Sequence, residues 1–138
     1  MTTLFVDTNV FLRFLTDDHP QQAQKARDFL ETAIETPETT LVTSDAVVME
    51  LVYTLRSYYG RSQSETEKKV MTILEFCLMV SPVTDFDWQG VFQGEPKKNV
   101  DFMDALNYRI MKQEGLETIV SFDTDYDRFE DITRQEPE

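Results

Sequence analysis

The sequence contains very few of the residue types on which many catalytic sites depend. Its 138 residues include one cysteine, Cys77, and one histidine, His19. A single cysteine excludes an intrachain disulfide and a cysteine-based zinc cluster, and a single histidine excludes every mechanism that needs two. His19 lies in TDDHPQQ, which is typical of an exposed turn before a helix. Catalysis by histidine is therefore not predicted.

Long hydrophobic runs are missing as well. Nothing approaches the roughly 18 consecutive apolar residues of a membrane span, and the N-terminus lacks the basic start and apolar core of a secretory signal. These absences favour a cytoplasmic protein with no membrane partner. The length suits one domain with a real core, and no repeat or Gly/Ser linker interrupts the chain. We therefore expect a single domain over residues 1–138.

Positive charge is scarce. Lys and Arg number 13 against 26 Asp and Glu, for a net charge of −13. Such a chain has no general electrostatic attraction for nucleic acid or for an anionic membrane. It can act on a phosphodiester if divalent cations lie between its carboxylates and the phosphate. It can also bind a basic segment of a partner protein.

The pattern of apolar residues predicts strands that alternate with helices. Strands are predicted at Thr3–Val6, Thr40–Thr43, Leu78–Val83, Thr118–Ser121 and Ile132–Thr133. Helices are predicted at Val10–Leu15, from Pro20, from a cap at Ser44 to Tyr58, from Ser62 or Ser64 to Phe76, at Asp85–Phe92, and at Val100–Gln113 after a cap at Asn99. Alternation of this kind indicates an α/β fold with a central parallel sheet and helices on both faces. Its ligand site is expected beyond the carboxyl ends of the strands.

Two carboxylates interrupt apolar segments. Asp7 ends the run Leu4–Val6 and can serve either as a helix cap or as a metal ligand. Glu50 lies inside AVVMELVYTL, where a buried glutamate without a partner would be unfavourable. An edge position from which Glu50 reaches water is the alternative. Both residues are candidates for a functional site.

Further acids occur in two later segments. Asp101 and Asp104 are three residues apart in NVDFMDALNYRI, so they share one face near the start of a helix. VSFDTDYDRFED contains Asp123 and Asp125 just after a predicted strand. An EF-hand loop is excluded there because its sixth and twelfth positions would require Gly and Glu and are both arginine. Asp123 is the acid best placed to reach the edge of the sheet.

An α/β sheet could bring these carboxylates together, and such a cluster requires a counter-charge. Like charges that are close raise one another's pKa, and a hard divalent cation such as Mg²⁺ or Mn²⁺ prefers oxygen ligands. Metal ions of this kind can activate water and stabilise the leaving oxygen of a phosphodiester. Metal-dependent hydrolysis without His, Cys or Ser is therefore the leading prediction.

The segments VDTNVFLRFL, VVMELVYTL, VDFMDALNYRI and IVSFDTDYDRF resemble, in this order, the four acidic blocks of PIN-domain nucleases, and most of all those of VapC-type toxins. The resemblance covers essentially the whole chain. It implies a Rossmann-like three-layer α/β/α sandwich with a parallel sheet and Mg²⁺- or Mn²⁺-dependent cleavage of RNA. It also implies a homodimer and a cognate antitoxin with a basic or aromatic C-terminal segment across the active-site groove.

The same resemblance implies roles for individual residues. Asp7, Glu50 and Asp104 match three acidic metal ligands, and Asp123 is the choice for the fourth, with Asp125 as its competitor. Asn9 would orient the Asp7 carboxylate and leave it free to face the groove, Ser121 would line the site, and Asp101 would be a helper.

Several points stay open. Lys97, Lys98, Arg13, Arg56 and Arg61 could form a basic rim for RNA, although each is also explained by ordinary solvation. The apolar face near Phe29–Leu30 and the helix from Ser64 to Phe76 are candidate dimer surfaces.

Two other functions are weighed. One is an aspartate-based phosphatase or phosphotransfer domain with Asp7 as nucleophile, and the other is a non-catalytic domain whose acids recognise a basic partner.

Overall fold

A five-stranded, all-parallel sheet forms the centre of the computed structural model, which describes residues 1–93 and 100–138. The strands are β1 Thr2–Val6, β2 Thr39–Ser44, β3 Leu78–Val80, β4 Thr118–Val120 and β5 Thr133–Gln135. The helices are α1 Thr8–Leu15, α2 Pro20–Glu35, α3 Asp45–Ser57, α4 Gln63–Phe76, α5 Trp88–Gln93 and α6 Phe102–Glu114, with a 3₁₀ turn at Thr124–Arg128. The predicted α/β fold with a central parallel sheet is confirmed.

Strand β1 occupies the middle of the sheet. The order of the strands is β3-β2-β1-β4-β5, and Phe5 of β1 pairs with Val42 on one side and Ile119 on the other. Phe5 and Val6 are fully buried, as expected for a central parallel strand that is covered on both faces. The continuous apolar run before Asp7 therefore reflects a strand with no solvent-facing side.

The carboxyl ends of β1 and β4 lie side by side at a topological switch point. The chain proceeds from β1 outward to β2 and β3, then crosses to β4 and β5 on the other side. Ligands of open α/β sheets bind at such points, because the loops leave the sheet in opposite directions there and open a crevice. The Asp7 amide donates to the Val120 carbonyl at 3.0 Å. Asp7 is thereby placed beside the residue that follows β4.

Side-chain caps determine where the helices begin. Ser44 accepts from the Val47 amide and Ser62 from the Glu65 amide, so two of the predicted caps are confirmed. The cap predicted for α6 is wrong. Asn99 lies outside the described residues, and Asp101 caps the helix by accepting from the Asp104 amide at 2.9 Å. An aspartate carboxylate caps well and interacts favourably with the helix dipole.

Two elements are shorter than predicted. Strand β3 ends at Val80, before Pro82, which has no amide hydrogen with which to extend a ladder. Helix α5 begins at Trp88 and not at Asp85. The other predicted elements are present, with ends that differ by one or two residues. In the described part of the chain, no helix is both long enough and apolar enough to cross a bilayer.

Helix α2 directs its apolar face into the core. Ala23, Ala26 and Ala33 are buried and Leu30 is completely so, while Phe29 is partly buried against the same cluster. Small alanines let the helix lie close to the sheet and α1. Leu30 is therefore covered within the monomer and cannot form a dimer surface, so that part of the prediction is wrong.

The start of α4 offers a matched test of capping. Ser62→Ala removes the acceptor for the Glu65 amide (3.1 Å) and should lower the free energy of unfolding by about 1 kcal/mol. Ser64 is exposed in the first turn, so Ser64→Ala should change it by less than about 0.5 kcal/mol. Urea denaturation of both variants measures the difference. Equal effects would contradict the assignment of Ser62 as the cap.

Candidate metal centre

The carboxylate of Asp7 is buried and surrounded by hydrogen-bond donors. Its Oδ1 accepts from the Thr8 amide at 2.8 Å and from Asn107 Nδ2 at 3.2 Å. Its Oδ2 accepts from Ser121 Oγ at 2.8 Å and from Asn9 Nδ2 at 3.1 Å. A carboxylate offers about four lone-pair positions, so the four donors occupy all the acceptor positions of Asp7. Only 5% of the residue is exposed.

Asp7 caps helix α1 itself, which corrects the expected division of roles. Its backbone is extended and its side chain accepts from the Thr8 amide. Asn9 does not cap the helix. Its Nδ2 donates to both Asp7 and Ser121 Oγ, and its Oδ1 accepts from the Phe122 amide. Asn9 thus joins the ends of β1 and β4, and Asp7 has the cap role that the sequence left open for it.

Asp104 has one carboxylate oxygen that receives no hydrogen bond from the described residues. It lies in the first turn of α6 with 5% exposure. Its Oδ2 is buried and accepts no hydrogen bond from the described residues. One carboxylate oxygen of Asp104 lies within 4.8 Å of oxygens of both Asp123 and Asp125, which are themselves close together. Three acids from α6 and the 3₁₀ turn therefore meet at one point.

Asp123 and Asp125 differ in their surroundings. Asp123 Oδ1 accepts from the Asp125 amide at 2.9 Å and so caps the 3₁₀ turn, while its own amide donates to Ser121 Oγ. The charge of Asp123 acts on both Asp7 and Asp104. Asp125 instead lies 3.5 Å from Arg128 and is more peripheral. These contacts favour Asp123 as the acid that belongs with Asp7 and Asp104.

Glu50 and Asp101 lie at the margin of the cluster. Glu50, on α3, is half-buried, and its charge raises the pKa of Asp7, yet it is not among the three acids that meet within 4.8 Å. Asp101 is exposed and caps α6. Its charge raises the pKa of Asp104, and its cap bond holds the Asp104 backbone. Asp101 therefore acts on the site through the position of its neighbour.

The fold stabilises the protonated form of both central carboxyls. Burial raises the pKa of Asp7 from 3.8 to about 7, although hydrogen bonds from Ser121 and Thr8 oppose the rise. Burial also raises the pKa of Asp104 well above its usual range, and the charges of Asp101, Asp123 and Asp7 add to this effect. Charged groups so close together require either protons or a cation.

The donor set fits a hard divalent cation. All the groups that converge are carboxylates, and oxygen ligands suit Mg²⁺ and Mn²⁺. The unpaired, buried Oδ2 of Asp104 is an acceptor that lacks a positive partner, and such an atom is unfavourable without one. Asp7 could bind a cation directly after one of its four donors moves, and the Ser121 hydroxyl can rotate to allow this.

The arginines of the expected basic rim have other surroundings or lie at the far ends of their helices. Arg13 is in the last turn of α1, which Asp7 caps at its other end, and Arg56 is in the last turn of α3. Arg13 contacts Asp18 and Tyr59, and Arg61 lies 4.0 Å from Glu65. The basic rim stays a prediction. Lys97 and Lys98 lie outside the described residues.

Two buried residues of the site were not predicted from the sequence. Asn107 donates to Asp7 and to the hydroxyl of Tyr126, and both residues are completely buried. Asn107 follows Asp104 by three residues in an otherwise largely apolar helix. This polar residue, one turn after a candidate ligand, is the feature of the sequence that could have indicated the role of Asn107. Nothing in the acidic segment VSFDTDYDRF distinguished Tyr126.

A three-layer α/β domain with an acidic cluster at its switch point defines a recognisable class. The PIN domain family model matches residues 4–132. The chain therefore belongs to the PIN domain family. No curated protein matches the sequence.

Solved structures share the fold at low sequence identity. A VapBC2 complex from Rickettsia felis, bound to a promoter DNA fragment, has a TM-score of 0.76 at 16% identity and covers 99% of both chains. VapC20 of Mycobacterium tuberculosis, a toxin that cleaves the sarcin–ricin loop, gives 0.71 at 17%, over 90% of this chain and 92% of that one. FitAcB of Neisseria gonorrhoeae gives 0.66 at 18%, over 97% of each. The fold is thus that of VapC-type PIN domains.

The raised pKa of Asp104 predicts a pH-dependent loss of stability without metal. A folded-state pKa above the unfolded value of 3.8 favours the fold at low pH, and this contribution is lost as pH rises through the folded pKa. In EDTA, the Tm of the wild type should fall between about pH 6 and about pH 9, and that of Asp104→Asn should fall less, because the amide stays neutral. Thermal unfolding at both pH values measures this.

The control for this measurement is Asp17→Asn, which makes the same change in net charge at an exposed position. It should keep the pH dependence of the wild type. If Asp104→Asn also keeps it, the ionisation of Asp104 does not destabilise the fold.

Proposed function

We propose that the protein is a divalent-metal-dependent endoribonuclease and the toxin of a type II toxin–antitoxin pair. The observation that carries the proposal is the buried, unpaired Oδ2 of Asp104, within reach of Asp123, at the switch point of a PIN domain. Perturbed carboxyl groups of this kind cluster at functional sites, and a cation offsets the repulsion between them. Mg²⁺ or Mn²⁺ is the group that the oxygen donors fit best.

In this proposal Asp7, Asp104 and Asp123 hold the metal, with Glu50 as a further acidic ligand. The three come from the end of β1, from α6 and from the end of β4, so the sheet and one helix set their spacing. Asn9 and Ser121 orient Asp7 through the hydrogen bonds at its Oδ2. Asp101 holds Asp104 at the helix start.

The chemistry follows from the absence of other catalytic groups. A bound divalent ion would lower the pKa of a water molecule and stabilise the leaving oxygen of a phosphodiester. The protein's own residues hold the carboxylates in place and exclude water from their inner side. Glu50 is half-buried at the margin of the cluster, where its carboxylate can accept a proton from a water molecule. The single histidine, His19, lies at the N-cap position of α2 without a side-chain cap bond and has no role in this proposal.

RNA is the proposed substrate, and an antitoxin is the proposed partner. One structural neighbour is a toxin that cleaves the sarcin–ricin loop, and others were solved as VapBC or toxin–antitoxin complexes. A net charge of −13 favours a basic C-terminal segment of an antitoxin, which would be attracted to the acidic groove. The homodimer stays part of the proposal, with α4 and its exposed Met71 as the remaining candidate surface.

A phosphotransfer role for Asp7 is disfavoured by its contacts. A nucleophilic carboxylate needs a free oxygen and an open approach, whereas both oxygens of Asp7 accept two hydrogen bonds and the residue is buried. A purely non-catalytic role for the acids would require no metal affinity. It is tested by the measurements that follow.

The activity test compares acidic variants in a defined assay. The wild type should cleave structured RNA with Mg²⁺ or Mn²⁺ and not with EDTA. Asp7→Asn and Asp104→Asn should each lose more than the roughly 10- to 100-fold that removal of an outer partner costs. Asp17→Asn should retain full activity. Wild-type cleavage in EDTA would overturn the metal dependence, and full activity of both site variants would overturn the site.

Metal affinity provides a second, independent readout. Mn²⁺ at about 100 times its dissociation constant should stabilise the wild type by about 2.7 kcal/mol. If Mn²⁺ changes the stability of neither the wild type nor Asp17→Asn, the acids do not bind metal. This outcome would favour a non-catalytic role for them.

The competition between Asp123 and Asp125 can be settled by the same two assays. Asp123→Asn should weaken Mn²⁺ binding and cleavage by more than about 10-fold, because Asp123 interacts with both Asp7 and Asp104. Asp125→Asn should have a smaller effect, since Asp125 is paired with Arg128 at the margin. The opposite order would assign the fourth ligand to Asp125.

A further inference from the structure

A continuous hydrogen-bonded chain of four buried side chains joins the two central acids. Asn107 Nδ2 donates to Asp7 Oδ1 at 3.2 Å and to the Tyr126 hydroxyl at 2.9 Å. The Tyr126 hydroxyl also interacts with the carboxylate of Asp104, whose pKa it lowers. Asp7 and Asp104 are 5% exposed, and Asn107 and Tyr126 are completely buried. The chain lies on the inner side of the acidic cluster, away from solvent.

The chemistry of the four groups determines the direction of every bond. Ionised Asp7 can only accept, so the amide nitrogen of Asn107 and not its oxygen must face it. The same nitrogen donates its second hydrogen to Tyr126. Because the Tyr126 oxygen already accepts this bond, its own proton is available for Asp104. Asp7 and Asp104 therefore each receive a donor from a pair of neutral residues, and no charge is introduced between them.

The chain also connects the three elements that carry the acids. Asn107 lies one turn after Asp104 on α6, Asp7 follows β1, and Tyr126 lies in the same 3₁₀ turn that Asp123 caps. Fixing Tyr126 against α6 therefore fixes the turn that presents Asp123. The Oδ2 of Asp104 accepts no hydrogen bond from the described residues, so this oxygen is available to interact with a cation.

We infer that Asn107 and Tyr126 are positioning residues of the metal centre, which hold Asp7, Asp104 and Asp123 at the spacing a divalent ion requires. This inference rests on the proposed metal-dependent function. Outer partners of metal ligands orient the ligands before the ion arrives. Their loss therefore weakens metal affinity more than it weakens the binding of RNA.

The test is the Mn²⁺ affinity of Tyr126→Phe, measured by electron paramagnetic resonance of free Mn²⁺ without RNA. Removal of one hydroxyl should weaken Mn²⁺ binding about 10-fold. RNA cleavage should fall at limiting Mn²⁺ and recover at saturating Mn²⁺, with the KM for RNA unchanged. Asp104→Asn should not recover, because it removes the ligand itself.

Tyr59→Phe is the matched control. Its hydroxyl also donates to an aspartate, Asp18, at 2.8 Å, but that pair ties the α1–α2 connection to the residues after α3. The variant should lose stability and keep the wild-type Mn²⁺ affinity. Asn107→Leu, which removes both donated bonds, should weaken Mn²⁺ binding more than Tyr126→Phe does. If it fails to fold, the result from Tyr126→Phe stands by itself.

The outcomes separate the two proposals. If the wild type binds no Mn²⁺, the proposed function fails. If the wild type binds Mn²⁺ and cleaves RNA while Tyr126→Phe matches it in both, the function stands and the positioning role is overturned. Equal weakening in Tyr126→Phe and Tyr59→Phe would show a general effect of stability and would also overturn it.

Discussion

Four hydrogen bonds donated to the carboxylate of Asp7 are the interaction on which the site depends. They come from the start of α1, from β4 by way of Ser121, and from α6 by way of Asn107. The four donors belong to three stretches of chain, so one buried side chain holds together the central strand, its neighbour and the helix that carries Asp104. A neutral side chain at position 7 could not accept all four bonds.

The same arrangement creates an electrostatic conflict. Asp7 and Asp104 are buried close to Asp123, and burial together with like charge shifts the central carboxyls towards their protonated forms. The donors stabilise Asp7, while Oδ2 of Asp104 has no partner among the described residues. The protonated form of Asp104 therefore favours stability, whereas the ionised form would be needed to bind a cation. A cation would resolve this conflict, since it neutralises the cluster and completes the coordination of that oxygen.

Local patterns predicted most of the fold. The run Leu4–Val6 indicated a buried central strand because such strands have no polar face. Ser44 indicated a helix start because a hydroxyl can accept from the free amides of the first turn. One error concerns the start of α6. Asn and Asp are equally good helix caps, so residue type alone did not identify Asp101 as the cap.

The acids were predicted one by one and expected to meet at the edge of the sheet, yet their distances and hydrogen bonds were not predicted. Polar residues in apolar surroundings are visible in a sequence, so Asp7, Glu50 and Asp104 stood out. Their distances depend on the strand order β3-β2-β1-β4-β5, which brings residues more than a hundred positions apart into contact. The burial of Leu30 has the same origin, because the packing of α2 against the sheet decides which side of the helix is covered.

The amino-acid sequence by itself determined which acidic residues are candidate ligands and most of the secondary structure that carries them. These properties follow from local propensity, capping and the burial of apolar runs, each of which acts over a few residues. Only the tertiary structure decided that Asp7 both caps and takes part in the cluster, that Asp104 keeps a free oxygen, and that Asn107 and Tyr126 connect the two. Hydrogen bonds between distant segments form only after the sheet has placed their partners within about 3 Å.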